Sequence, residues 1–142
     1  MTTRSTLGSG GVSKTILLVD DFEDGLDMYR EYLEYRGYKV VVARNGREAI
    51  LQARTQNPDA ILLDIRMPVM TGIDAVRVLR ADPSFRHVPI VALTAHALED
   101  ERVAALAEGF DEVVAKPCLP DELVFCLERI LGTEQSPREK VG

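Results

Sequence analysis

Five short apolar runs punctuate the chain: Ile16-Leu17-Leu18-Val19, Val40-Val41-Val42, Ile61-Leu62-Leu63, Ile90-Val91-Ala92-Leu93 and Val113-Val114-Ala115. Each is too short for a helix, is made mostly of β-branched residues or Leu, and does not alternate with polar positions. Unbroken apolar runs of this kind belong to strands covered on both faces. Longer amphipathic segments follow each run, and several carry helix signals. Asn45 with Glu48 has the spacing of a capping box, and Thr71 with Asp74 repeats it. Pro58 and Gly109 stand where the helical period stops. Five strands alternating with five helices predict an α/β fold, with parallel pairing and right-handed crossovers covering both faces of one sheet. No segment repeats another, which excludes a solenoid.

The ends of the chain break this pattern. Residues 1–14 are rich in Thr, Ser and Gly, and residues 132–142 are polar and aperiodic, so both read as flexible tails. Residues 15–131 remain as one domain, which suits a chain of 142 residues. The net charge of −6 disfavours nucleic acid as a partner, because a phosphate backbone needs a basic face. No apolar run approaches the roughly 20 residues of a membrane span, and no signal-peptide core precedes residue 14. Cys118 and Cys126 lack metal-ligand spacing and read as reduced thiols of a cytoplasmic protein.

Chemistry enters where the apolar runs stop. The first run ends at Asp20-Asp21, the third at Asp64, the fourth at Thr94 and the fifth at Lys116-Pro117. In an open α/β sheet the carboxyl ends of the strands line the ligand crevice. A single Asp after a strand is ordinarily a cap or turn residue. Three acids converging on one edge are different, because crowding and burial raise their pKa values unless a cation sits among them. A hard divalent ion with oxygen ligands meets that need, and Mg²⁺ suits a site completed by waters and a phosphoryl oxygen. Thr94 and Lys116 then supply a hydrogen bond and a positive charge to phosphoryl oxygens. A carboxylate can attack phosphorus, so Asp64 is assigned as nucleophile, with Asp20 and Asp21 as the metal pair.

Taken in order, these pieces resemble the receiver domain of the bacterial two-component response regulators. The resemblance runs from Thr15 to about Leu131. It rests on Leu18-Val19-Asp20-Asp21, on Leu63-Asp64-Ile65-Arg66-Met67-Pro68 with Gly72 beyond, on Ala92-Leu93-Thr94-Ala95, and on Ala115-Lys116-Pro117. It implies a doubly wound, flavodoxin-like (βα)₅ sandwich with strand order 2-1-3-4-5. It also implies that Asp64 takes a phosphoryl group from a phosphohistidine of a histidine kinase or phosphotransfer protein. Asp21, Asp64 and the backbone carbonyl of Arg66 would bind Mg²⁺ directly, and Asp20 mainly through water. Lys116 and Thr94 would engage the phosphate, and the Lys116-Pro117 peptide would be cis. The family's frequent inward-turning aromatic is replaced by Val113, and Cys118 stands where a large apolar residue is common.

Rival readings fail on particular residues. A phosphatase of the haloacid dehalogenase type needs an acid two residues after its nucleophile, where this chain has Arg66. A flavodoxin needs hydroxyls and amides after its first strand, and Asp20-Asp21 would repel a phosphate there. The chain is therefore read as a phosphoacceptor signalling protein, not a multi-turnover enzyme. A receiver that had lost phosphorylation would also have lost part of the site, and every element is present. His87 falls in a loop between Pro83 and Pro89 and reads as solvated. Arg66 and His96 each lie two residues beyond a site residue and are expected to overhang the site and tune the phosphoryl lifetime.

The chain is expected to act as a stand-alone receiver, the alternatives being a phosphorelay shuttle or sink, or a fragment of a larger regulator or hybrid kinase. Its output is expected on the face made by the fourth helix, fifth strand and fifth helix, with Val113 and Phe125. That face would serve a downstream protein or a second copy of the chain. Phe125 falls opposite the apolar side of the last helix, among Asp121, Glu128 and Arg129. The kinase, the target and the pathway have no signature in the sequence.

Overall fold

A computed structural model describes residues 13–67, 70–95 and 97–132. The elements alternate throughout: β1 (Thr15–Val19), α1 (Glu23–Tyr35), β2 (Lys39–Ala43), α2 (Gly46–Gln56), β3 (Ala60–Asp64), α3 (Gly72–Arg80), β4 (Ile90–Thr94), α4 (Glu99–Glu108), β5 (Glu112–Ala115) and α5 (Pro120–Leu131). A single 3₁₀ turn, Pro83–Phe85, leads into β4. The five strands pair in parallel in the order β2-β1-β3-β4-β5. Strand count, pairing sense and order all agree with the sequence expectation.

Side chains alternate across the sheet, so each strand feeds two apolar layers. Ile16, Leu18, Leu62, Val91 and Leu93 face α1 and α5, where Leu26, Leu33, Leu123 and Leu127 meet them. Leu17, Val19, Ile61, Leu63, Ile90 and Ala92 face α2, α3 and α4, where Ile50, Val76 and Leu79 meet them. The helix starts follow the sequence signals. Asn45 Oδ1 accepts from Glu48 N at 2.9 Å, and Thr71 Oγ1 accepts from Asp74 N at 3.2 Å. Glu48 returns its carboxylate to Arg44 N rather than to the cap itself. Asn57, just before Pro58, ends α2 in the left-handed region, and Gly109 ends α4 at φ 126°.

Two expectations need correction. Only β1, β3 and β4 are buried on both faces. Val40, Val41 and Val42 are half-buried, and β5 is likewise incompletely covered. The strand order explains this, since β2 and β5 are the edges of the sheet. Val113 was placed on the output surface, but its side chain is only 6% exposed and belongs to the core under α4. On the pleat, Val113 points inward at the same level as Ala92, its partner on β4. An output surface must therefore be built without it.

Candidate functional site

Strand register brings the polar run-ends together. Val19 pairs with Leu63, Asp64 with Leu93, and Thr94 with Ala115. The residues at and just beyond these pairs converge at the carboxyl edge of the sheet. Among the described residues, the buried polar or charged ones are Asp20, Asp64 and Thr94, at 2%, 5% and 2% exposure. Asp21 lies in the turn beyond β1 and is exposed. Asp20, Asp21 and Asp64 each offer a carboxylate oxygen within 4.8 Å of the others.

Each buried carboxylate is split between a backbone donor and one ammonium. Asp20 Oδ1 accepts from Phe22 N at 3.0 Å, and Asp64 Oδ1 accepts from Arg66 N at 3.1 Å. Their second oxygens both meet Lys116 Nζ, at 2.8 Å for Asp20 and 3.2 Å for Asp64. One lysine thus serves two acids. Burial, with a smaller push from the Asp20 charge, raises Asp64 from 3.8 to about 6, despite Lys116 and the Arg66 amide. Burial alone would lower Lys116. Its hydrogen bond to Asp20 and the charges of Asp64 and Asp20 outweigh that and hold it above the ordinary lysine value.

The backbone is shaped for this cluster. A Cβ on Gly72 would lie 2.4 Å from the Asp64 carbonyl oxygen and 2.8 Å from Ile65 Cα, so only glycine lets α3 begin against the Asp64 peptide. Gly72 N also donates to Ile65 O at 2.9 Å. The Lys116–Pro117 peptide is cis, as the resemblance implies. The loop after it is held by Tyr29, whose hydroxyl donates to Cys118 O at 2.9 Å. Burial first, then its contact with Cys118, raises the Tyr29 phenol to about 12. Tyr29 escaped the sequence reading. Its position three residues after Leu26, on the apolar side of α1, was the available signal.

A cleft of about 320 Å³ opens beside the acids, lined by Phe22, Gly25, Met28, Tyr29, Ala95 and Pro117 along with Asp20 and Lys116. Arg66 is exposed and reaches Glu101 on α4 at 3.5 Å. His96 lies outside the described residues. His87 is exposed in its loop. Phe125 is 67% exposed on α5, while Leu123, Val124, Cys126 and Leu127 are buried. Cys118 and Cys126 are buried free thiols. Among the described residues, no helix is long and apolar enough to cross a membrane.

Comparisons with known proteins converge on one family. The profile described as "Response regulator receiver domain" matches residues 16–128. The polar-differentiation response regulator DivK of Brucella anthropi is 31% identical over 119 residues, spanning 84% of this chain and 97% of DivK. The chemotaxis response regulator CheY4 of Vibrio cholerae superposes with a TM-score of 0.80 at 32% identity, covering 84% of this chain and 99% of CheY4. The receiver domain of the sensor histidine kinase PA1611 from Pseudomonas aeruginosa superposes at 0.79 with 38% identity, over 86% of this chain and all of that domain. That structure has a magnesium ion coordinated in its active-site cleft. With a 2-1-3-4-5 parallel sheet and its acids gathered around one lysine at the carboxyl edge, the chain belongs to the response regulator receiver domain family.

Proposed function

We propose that this chain accepts a phosphoryl group on Asp64 and signals by altering a protein-binding surface. The observation that carries the reading is the imbalance at Asp64. A buried carboxylate shares a single ammonium with Asp20, and burial raises it to about 6. A dense oxygen cluster with too little positive charge fits a hard divalent cation. Asp20, Asp21, Asp64 and the Arg66 carbonyl would hold Mg²⁺, which when bound supplies charge neutralisation between carboxylates and an anionic phosphoryl group.

The protein's own groups do the rest. A carboxylate oxygen of Asp64 forms the new O–P bond as the P–N bond to a phosphohistidine breaks. The bonding pair departs with the imidazole nitrogen, which takes up a proton. Lys116 already lies 3.2 Å from Asp64 and offers its charge to the incoming phosphoryl oxygens. Thr94, at the end of the neighbouring strand, offers a hydroxyl. The donor is a histidine kinase or phosphotransfer protein, and residues 15–131 are the functional unit in the cytoplasm. Output then passes through the exposed side of α4 and α5, with Phe125 as an apolar anchor, to a downstream protein or a second copy of the chain.

The test is intact-mass measurement after incubation with acetyl phosphate and Mg²⁺. A gain of one phosphoryl group is expected in the wild type, and none in Asp64→Asn or in EDTA. Full gain in either control overturns the assignment. A phosphorelay or hybrid-kinase role is a second reading. The 38% identity to the PA1611 receiver, against 32% for CheY4, favours it. Return of the phosphoryl group to a phosphotransfer histidine would support that reading, and its absence would favour output by surface change.

A further inference from the structure

Helix α4 is attached differently from its neighbours. Helices α3 and α5 each bury four residues, whereas α4 buries Ala105 alone and leaves Val103 and Leu106 exposed. Three arginines supply much of its remaining attachment. Arg77 of α3 pairs with Glu108 at 2.6 and 2.7 Å, near the last turn. Arg102 donates to Val113 O at 3.0 Å. At the first turn, Arg66 Nη2 reaches Glu101 Oε2 at 3.5 Å.

The Arg66–Glu101 tie is the weakest of the three and the one joined to the acid site. Its single contact sits at the limit of hydrogen-bond reach. The other oxygen of Glu101, Oε1, is shielded from solvent and has no hydrogen-bond partner among the described residues. Arg66 is anchored at the site by its own amide, which donates to Asp64 Oδ1. Its guanidinium is therefore a mobile arm on a fixed base, two residues from the nucleophile. A phosphoryl group on Asp64 brings about −1.5 to −2 charges and three acceptor oxygens, which a planar guanidinium can grip through two bonds. A loosely held monocarboxylate competes poorly with that.

We propose that Arg66 is a two-position latch. It pairs with Glu101 when Asp64 is bare and with the phosphoryl group when Asp64 is phosphorylated, so that phosphorylation unpins the first turn of α4. The inference rests on the phosphoacceptor reading of Asp64. It assigns the route by which charge at the site reaches an exposed helix, and it requires no aromatic at position 113. A surface pair is weak. Here it acts on a helix with one buried residue, so a small change in pairing is felt.

The experiment is hydrogen–deuterium exchange of peptides within residues 99–108, on wild type and Glu101→Gln, each with and without acetyl phosphate and Mg²⁺. Intact mass is read on the same samples. In the wild type, phosphorylation is expected to speed exchange by about 1.5-fold to fivefold, the scale of one exposed ion pair. Glu101→Gln should exchange fast already, still gain its phosphoryl group, and show little further increase, as non-additivity between coupled groups requires. A full mass gain with unchanged wild-type exchange overturns the latch alone. So does a full phosphorylation increment in Glu101→Gln. Absence of the mass gain overturns the phosphoacceptor reading, and the latch with it.

Discussion

The two ends of the sheet handle charge in opposite ways. At the amino ends of the strands, Arg80 leaves the last turn of α3 and commits all three of its nitrogens. Its Nε donates to Gly109 O at 2.8 Å, its Nη1 to Phe85 O and Val88 O at 2.7 and 2.9 Å, and its Nη2 to Asp111 at 2.7 Å. Asp111 in turn accepts from Ile90 N at 2.8 Å, so the knot closes on β4 itself. At the carboxyl ends, Lys116 meets two buried acids with a third nearby, and Asp64 is left titrating near 6. One end is saturated and serves the fold. The other gathers three acids around one lysine and is under-neutralised. The contrast shows that local stability and chemical readiness are separated along the length of the same strands.

The sharpest way to break this comparison is to remove the saturated end. Arg80→Ala removes the donor of four carbonyls, those of Gly109, Phe85, Arg86 and Val88, and should cost about 3 kcal/mol, since three of the four bonds are part-buried. Urea titration measures it. A loss no larger than that of an exposed arginine would mean the knot is ornamental. Gly72→Ala comes next, because its Cβ would intrude to 2.4 Å on the Asp64 carbonyl. A cost of about 1–3 kcal/mol is expected from overpacking. Phosphorylation should slow too, since the displaced backbone carries Asp64, the proposed phosphoacceptor.

At the under-neutralised end the sign reverses. Asp64→Asn should raise the melting temperature in EDTA, and Mg²⁺ should narrow the gap by stabilising only the wild type. The pH dependence follows from the folded value of about 6 against 3.8 for the free group. Between those values the folded state holds more protons than the unfolded chain. The stabilising contribution is thus complete below about pH 4 and is lost as pH rises through about 6. Stability curves of wild type and Asp64→Asn in EDTA should diverge across that window, and parallel curves would contradict the assignment. The smallest effect is expected at Arg77→Ala. Its pair with Glu108 lies at the surface, and the change in urea midpoint should fall within experimental error.

Much of the fold was legible because a parallel sheet writes its central strands as unbroken apolar runs. The convergence of Asp20, Asp64, Thr94 and Lys116 was legible for a related reason, since all four lie where such a run stops. Edge position was not, because Val40-Val41-Val42 is as apolar as a central strand and its half-exposure follows from the order of pairing. Val113 lies in the core because pleat parity sets it beside Ala92, and family position does not encode that parity. Arg80 left no trace, since most of its acceptors are main-chain carbonyls that any residue carries. Tyr29 was hidden by its own apolar neighbours on α1, where its hydroxyl had no visible reason to matter.

The sheet also acts as a septum. The buried side chains above it and below it form two sets with no member in common. Adjacent residues such as Leu62 and Leu63 therefore belong to separate neighbourhoods, although one peptide bond joins them. A change of volume in one layer meets its packing partners within that layer. A substitution at Leu63 is therefore felt by α2, α3 and α4, and one at Leu62 by α1 and α5.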